Sequence, residues 1–225
     1  MQQLTLTSRH QLDDSLVSFE FAPEDPLTWE AGQFVQVTLP HTQPDGGGIR
    51  RYFTIAAAPH EQLIRLVTRP GQSSFKQALL AMQPGDTIQL AAEPSGDVVW
   101  GTNNNPRLFI ASGVGITPFY AMLKDQFHRG GPARPVSLWY FHPRTALPFA
   151  TEFEDWAGRS PNFTLQAVAG VYSIDAFRQI APQLHNTQVY VSGPMSQLPF
   201  LLPPFSLPSR QVIRDSFTGY AAEDY

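Results

Sequence analysis

The stretch RRYFTIAAAP, residues 50–59, places two guanidinium groups, two aromatic rings and a hydroxyl directly ahead of a run of small residues. An ordinary half-buried strand alternates apolar and polar side chains more evenly and has no need of cations at its start. With a regular pleat, alternation sends Arg51 and Phe53 to one face and Tyr52 and Thr54 to the other. A cation beside a ring suits a ligand with an anionic part and a planar part. In a sheltered setting, a charge-assisted bond from Arg51 to a phosphate contributes about 1.5–3 kcal/mol. Taken alone, the five residues RRYFT favour a plainer reading, a barrel strand with Arg50 and Arg51 in solvent.

Around that stretch the first hundred residues read as strands and turns. QQLTLTSRHQL, SLVSFEFAP, GQFVQVTLP, YFTIAAAP, LIRLVTRP and GDTIQLAAEP are short, rich in β-branched or aromatic residues, and separated by Gly, Pro and Asp clusters. Such spacing predicts a small antiparallel barrel or sandwich. The glycine run in PDGGG, residues 44–48, predicts a flexible hairpin loop. SSFKQALLAM interrupts the strands as a helix, with Phe75, Leu79 and Met82 near helical spacing.

At GTNNNP, residues 101–106, a polar, turn-prone segment precedes the apolar RLFIASG. The predicted boundary divides the chain into residues 1–103 and 104–225. Beyond it, RLFIASG, VSLWYFH, FTLQAVAG and QVYVSGP alternate with helical patterns in TPFYAMLKDQFHR, PFATEFEDWAG and SIDAFRQIAPQL. That alternation predicts a parallel α/β sheet.

Composition narrows the function. The 225 residues are 42% hydrophobic and 15% charged, and a net charge of −4 offers no general attraction to nucleic acid. There is no cysteine, so no disulfide, cysteine-held zinc or cysteine-held iron–sulfur cluster belongs to this chain. With no evident secretory signal and no apolar run near the ~20 residues of a transmembrane span, the expectation is a cytoplasmic protein. The six histidines lack a paired metal spacing, and a Gly-x-Ser-x-Gly nucleophile elbow is absent. The four tryptophans are expected in cores, and Glu152, Glu154 and Asp155 read as the polar face of an ordinary helix.

Three further segments bear on chemistry. In TRPGQSSFKQALLAM, Gly71, Ser73 and Ser74 stand directly before the helix, where free N–H groups and the positive end of the dipole favour an anion. Ser73 or Ser74 is equally an N-cap, a role that needs no ligand. FIASGVGITPFYAML runs from a strand through Gly113 and Gly115 into a helix, with Pro118 where a dinucleotide fingerprint has its third glycine; tight packing explains those glycines as readily. VYVSGPMSQL ends a strand in Ser192, Gly193, Pro194 and Met195, at the strand end where open α/β sheets bind ligands.

Together and in this order, these four segments resemble the ferredoxin–NADP reductase superfamily of flavoprotein reductases over nearly the whole chain. The resemblance implies an antiparallel Greek-key FAD-binding barrel followed by a Rossmann-like NAD(P)-binding domain. It implies FAD as cofactor, NADPH or NADH as donor, and hydride transfer from nicotinamide to flavin. Arg51 and the Gly71 to Ser74 element would hold the FAD diphosphate, Tyr52 and Phe53 would lie by the flavin, and Thr54 would set its hydroxyl near flavin N5. Val67 and Thr68 are implied as further flavin contacts. Gly113, Val114, Gly115, Ile116, Thr117 and Pro118 match the nicotinamide-dinucleotide turn. Ser192, with Gly193, Pro194 and Met195, would align the nicotinamide, where many relatives have cysteine in place of Ser192. Phe53 stands where tyrosine is commoner, which removes a phenolic hydrogen bond and keeps the stacking surface. Arg144 is a candidate for the ribose or its 2′-phosphate, although a solvated loop arginine fits as well. The ending IRDSFTGY resembles that of many bacterial members, in which Phe217 or Tyr220 would cover the flavin, with Tyr225 a third candidate. Electrons would leave to a separate carrier such as a ferredoxin. The alternatives are a flavin reductase that releases reduced flavin, and a non-catalytic nucleotide-binding subunit.

Overall fold

The computed structural model describes residues 2–142, 147–169, 184, 186–193 and 208–215. Sequence alternation is visible at once in β1, Gln2–Gln11, where Leu4 and Leu6 are buried and Gln3 and Thr7 are exposed. Five further strands follow: β2, Val17–Pro23; β3, Phe34–Thr38; β4, Arg50–Thr54; β5, Ile64–Thr68; and β6, Thr87–Leu90. They pair antiparallel in the order β4-β3-β6-β1-β2-β5. A register shift between Leu6 and Ser8 bends β1. The two edge strands come together where Ala56, just past β4, donates its N–H to the Arg65 carbonyl at 2.8 Å. The sheet is therefore curled like a barrel around Phe19, Phe21, Val35, Leu66 and their neighbours.

The segment YFTIAAAP, expected as strand throughout, leaves the sheet after Thr54. Ile55 to Ala58 are completely buried, yet side chains take some of their backbone partners. Trp29 Nε1 donates to the Ala57 carbonyl at 3.1 Å, Arg65 to that of Ala56 at 3.2 Å, and the Glu61 carboxylate accepts the Ala58 N–H at 2.7 Å. Helix α1, Ser74–Ala81, begins on Ser73, whose hydroxyl accepts the Lys76 N–H at 3.3 Å. Its Phe75 and Leu79 enter the barrel core.

The second sheet is wholly parallel, in the order β11-β10-β7-β8-β9. Its strands are β7, Arg107–Ser112; β8, Val136–His142; β9, Phe163–Ala169; β10, Gln188–Ser192; and β11, Val212–Arg214. All six residues of β7 and all five of β10 are buried, the pattern of strands covered on both faces. Helices α2, Thr117–His128, and α3, Ala150–Arg159, pack through aromatic contacts. Phe109 stacks on Phe119 at 4.7 Å, and Phe127 on Trp156 at 5.1 Å. Glu152 is not simply a solvated face residue, because its carboxylate accepts the Tyr120 hydroxyl at 3.0 Å. The edge strand β11 was not foreseen; three residues are too short for a period to register. Apart from Leu184, the segment SIDAFRQIAPQL, expected as a helix, lies outside the described residues. Among the described residues, no helix is long and apolar enough to cross a membrane.

Polar and charged pairs join the two sheets. Glu61 accepts from Arg65 at 3.0 Å and from Lys124 of α2 at 2.7 Å, while Arg65 also reaches Glu20 at 2.8 Å. Burial opposes the Glu61 charge, but Lys124 and Arg65 outweigh it and hold the carboxyl below its usual range. Asp13, before β2, meets the fully buried His142 of β8 at 3.1 Å. Glu61→Gln leaves Lys124 and Arg65 without their shared anion. It is expected to cost about 2–4 kcal/mol in urea unfolding at pH 7, whereas breaking the exposed Arg159–Asp155 pair by Arg159→Ala should change stability by less than about 0.5 kcal/mol. Equal effects would show that the joint between the sheets rests on other contacts.

Candidate functional site

The ends of β4 and β5 face the carboxyl ends of β7 and β10 across a cleft that is open to solvent. Four consecutive residues of β4, Arg51, Tyr52, Phe53 and Thr54, line it, joined by Val67 and Thr68 from the end of β5. The alternation read from the sequence is visible in their packing. Arg51 and Phe53 share Phe75 of α1, the guanidinium carbon 5.3 Å from its ring centre and the Phe53 ring 6.0 Å from it. Tyr52 instead meets Phe34 edge-on at 5.6 Å. Thr54 is buried, and Arg50 is exposed.

At the outer end of β4, Arg51 and the start of α1 meet a common anion, the carboxylate of Asp45. Arg51 lies 3.6 Å from one oxygen, and the Ser74 N–H donates to the other at 2.7 Å. The Ser74 N–H holds the Asp45 carboxyl below its usual range, with Gly47 and Arg51 adding to the effect. A helix start and a guanidinium sharing one carboxylate form an anion-binding arrangement of the kind diphosphates use. Gly71 lies against the Lys76 side chain, which also lines the cleft.

The opposite wall comes from the strand-to-helix turn of the second sheet. Gly113–Ile116 form one 3₁₀ turn, with Gly113 at φ +53°, a left-handed conformation that favours glycine. Val114, Gly115 and Thr117 line the cleft, while Ile116 and Pro118 turn into the core. Thr117 donates its hydroxyl to the Val114 carbonyl at 3.0 Å. A Cβ on Gly115 would lie 2.3 Å from the Ser192 carbonyl oxygen and 2.7 Å from the Gly193 nitrogen. Two pieces of backbone therefore touch here, and neither can yield as a flexible side chain would.

Ser192 and Gly193 complete that wall. Ser192 Oγ lies 2.9 Å from Asp215 Oδ2, and Asp215 itself is anchored by its N–H on the Val191 carbonyl at 3.0 Å. Enclosure pushes the Asp215 carboxyl up to about 6, with the Ser192 hydrogen bond working the other way. Arg144, Pro194, Met195, Phe217 and Tyr220 lie outside the described residues, as does Tyr225.

Three cleft residues escaped the sequence reading. Arg69 lies against Gly113, and its Nε is buried with no hydrogen-bond partner. Its signal was a cation beside the Pro-Gly turn of TRPG. Lys76 belonged to a segment already read for its serines, and Asp215 to the IRD ending read for its aromatics. With Arg51 and the rings of Tyr52, Phe53 and Phe75, they give the cleft a cationic stretch, an aromatic wall and an acid. Those features fit a long ligand with phosphates and a flat ring. Among the described residues, no cluster of three His, Asp or Glu could hold a metal.

No family model matches the chain. The chain is 29% identical over 240 residues to a flavohemoprotein of Pseudomonas putida, a match covering 98% of this chain and 60% of the relative. It is 33% identical over 142 residues to ferredoxin–NADP reductase B of Sorangium cellulosum, covering 62% of this chain and 52% of the relative. The chain thus spans between half and three-fifths of the length of these relatives. Among solved structures, a ferredoxin NADP⁺ reductase from Neisseria gonorrhoeae with bound FAD and NADP superposes with a TM-score of 0.78. It is 16% identical, and the match covers 95% of this chain and 97% of that one, a likeness of fold.

Two measurements probe this geometry. Gly115→Ala forces apart the 3₁₀ turn and the end of β10, and should destabilise the protein by about 1–3 kcal/mol in urea unfolding. An unchanged midpoint would show that the turn relaxes freely. For Asp215, the folded-state value of about 6 lies above its ordinary 3.8, so the folded state holds its proton longer than the unfolded state does. Its contribution is full below pH ~4 and lost as pH rises through about 6. Relative to Asp215→Asn, the parent should lose on the order of 2–3 kcal/mol between pH 4 and 7. Parallel stability curves would mean that the carboxyl is not enclosed.

Proposed function

We propose that the chain, similar to flavohemoproteins and ferredoxin–NADP reductases, is a member of the ferredoxin–NADP reductase superfamily, an FAD-dependent oxidoreductase working between NADH or NADPH and a separate one-electron carrier of the ferredoxin class. In this reading residues 1–103 hold FAD and residues 104–225 hold the nicotinamide nucleotide. The observation that carries it is the convergence of Arg51 and the α1 start on a single anion, beside the cleft that Arg51, Phe75 and Lys76 line together with the Ser192–Asp215 pair. When bound, FAD supplies acceptance of a hydride and release of single electrons.

The chain's own residues bind, orient and exclude water. Arg51 and the Ser74 N–H would hold the FAD diphosphate, with Gly71 and Ser73 shaping the turn that presents them. Phe53 and Tyr52 offer apolar surface for a flat ring, and Thr54 a hydroxyl to a ring nitrogen. Val67 and Thr68 close that side. Across the cleft, the turn from Gly113 to Thr117 brings N–H groups and small side chains to a second diphosphate. Arg69 adds positive charge beside it. Ser192, fixed by Asp215, would orient the nicotinamide amide. The reaction as a whole needs no strong acid or base from the chain, and positioning is the protein's main contribution.

Anaerobic titration of the FAD-loaded chain with NADH and NADPH in parallel tests the reading: the visible flavin band should bleach with at least one of them. Arg51→Ala should weaken FAD binding by roughly 10- to 100-fold, as loss of a charge-assisted bond requires. A chain that takes up no FAD would remove the reading, and one that binds FAD without bleaching would be a non-catalytic nucleotide-binding subunit.

A further inference from the structure

The loop between β3 and β4 does more than connect them. It folds back across the first turn of α1 and supplies the anion found there. Asp45 accepts the Ser74 N–H at 2.7 Å and the Gly47 N–H at 3.0 Å, and its own N–H donates to Ser74 Oγ at 2.9 Å. The Leu39 carbonyl can only accept, so His41 Nδ1 donates to it at 2.8 Å. Nε2 then accepts from Ser74 Oγ, also at 2.8 Å. The Arg51 guanidinium donates to the carbonyls of Gly47, Gly48 and Arg50, and lies 3.6 Å from the Asp45 carboxylate. The helix end and the cation are thus both engaged by one loop of this same chain.

We propose that Asp45 is an intramolecular occupant of the FAD diphosphate site, so that the loop of residues 41–48 must lift before the cofactor can enter. This rests on the FAD reading above and adds a regulation of the same site. The donors are finite: the one Ser74 N–H cannot serve a carboxylate and a phosphate together, and two anions beside Arg51 repel each other. Two of the loop's glycines have room around them. A Cβ on Gly46 or Gly48 would meet nothing within 4 Å, and Gly48 sits at φ +66°. An aspartate held through three backbone amides and one cation grips the helix end without any apolar anchor of its own. The consequence is an exchangeable flavin: the apparent affinity is the intrinsic one scaled by the fraction of chains with the loop raised.

The test compares FAD binding, by fluorescence quenching of added FAD, in the parent, Asp45→Ala, Asp45→Asn and a charge control, Glu93→Gln. Glu93 is an exposed carboxylate that does not line the cleft. If the loop is down in about nine-tenths of molecules, both Asp45 variants should bind roughly tenfold more tightly than the parent, with Glu93→Gln unchanged. Inorganic pyrophosphate, titrated against each protein, should follow the same order. Hydrogen exchange at residues 41–48 should speed up in the parent when FAD is added. Equal or weaker FAD binding by both Asp45 variants, or an equal gain in Glu93→Gln, overturns the proposal and leaves the FAD reading standing. If no protein binds FAD or pyrophosphate, the FAD reading falls and the proposal falls with it.

Discussion

The site depends first on Phe75. Fully buried in the barrel core, it pins the start of α1 beside β4 and at the same time carries Arg51 and Phe53 on its ring. Burying a phenylalanine side chain contributes about 1.5–3 kcal/mol, more than the net contribution of a typical single hydrogen bond at the rim. Core packing therefore sets the spacing between cation and helix end. The polar contacts refine it. Without Phe75 the helix dipole and the guanidinium would be two unrelated surface features, and neither alone makes a strong anion site in water.

The second wall obeys a different constraint. There the close approach is backbone on backbone, Gly115 against Ser192 and Gly193, so position is fixed by the absence of a side chain. The two walls are then held to each other by polar contacts, the ion pair of Glu61 with Lys124 and the contact of Asp13 with His142. Such pairs are directional and enclosed, which suits them to setting the width of a cleft more than to adding net stability. An apolar joint of the same area would tolerate sliding, whereas ion pairs at fixed distances resist it.

What was legible in the sequence was what is local. The strands before residue 91, the alternation in RRYFT and the helix after Ser73 follow from patterns a few residues long, and all are present. The parallel sheet was legible because its strands are continuous apolar runs. The exit of IAAAP from the sheet was not, since it depends on Trp29, Arg65 and Glu61 arriving from elsewhere to take its backbone groups. Arg69 and Asp215 stayed hidden for the same reason. Their significance is an address in space, against Gly113 and Ser192, that no neighbour in sequence records. Asp45 was visible only as a turn residue in a glycine run. Its role comes from contact with Ser74, 29 positions away.

The Ser192–Asp215 pair shows how an enclosed acid governs a hydroxyl. With Asp215 ionised, above about pH 6, the carboxylate can only accept, so the Ser192 proton is committed to it and the hydroxyl offers lone pairs to the cleft. Below that pH the carboxyl can carry the shared proton, and the serine hydroxyl is released to donate into the cleft. A carboxamide has both a carbonyl and an NH₂ group, so each state of Ser192 can pair with one of them. On the reading proposed above, the hydroxyl would select an orientation for the nicotinamide according to the charge on a residue that the ligand itself need not touch. Cysteine in the same place is a far weaker donor and acceptor and would report the Asp215 charge only faintly. On that reading, serine at this position would couple the cleft to pH.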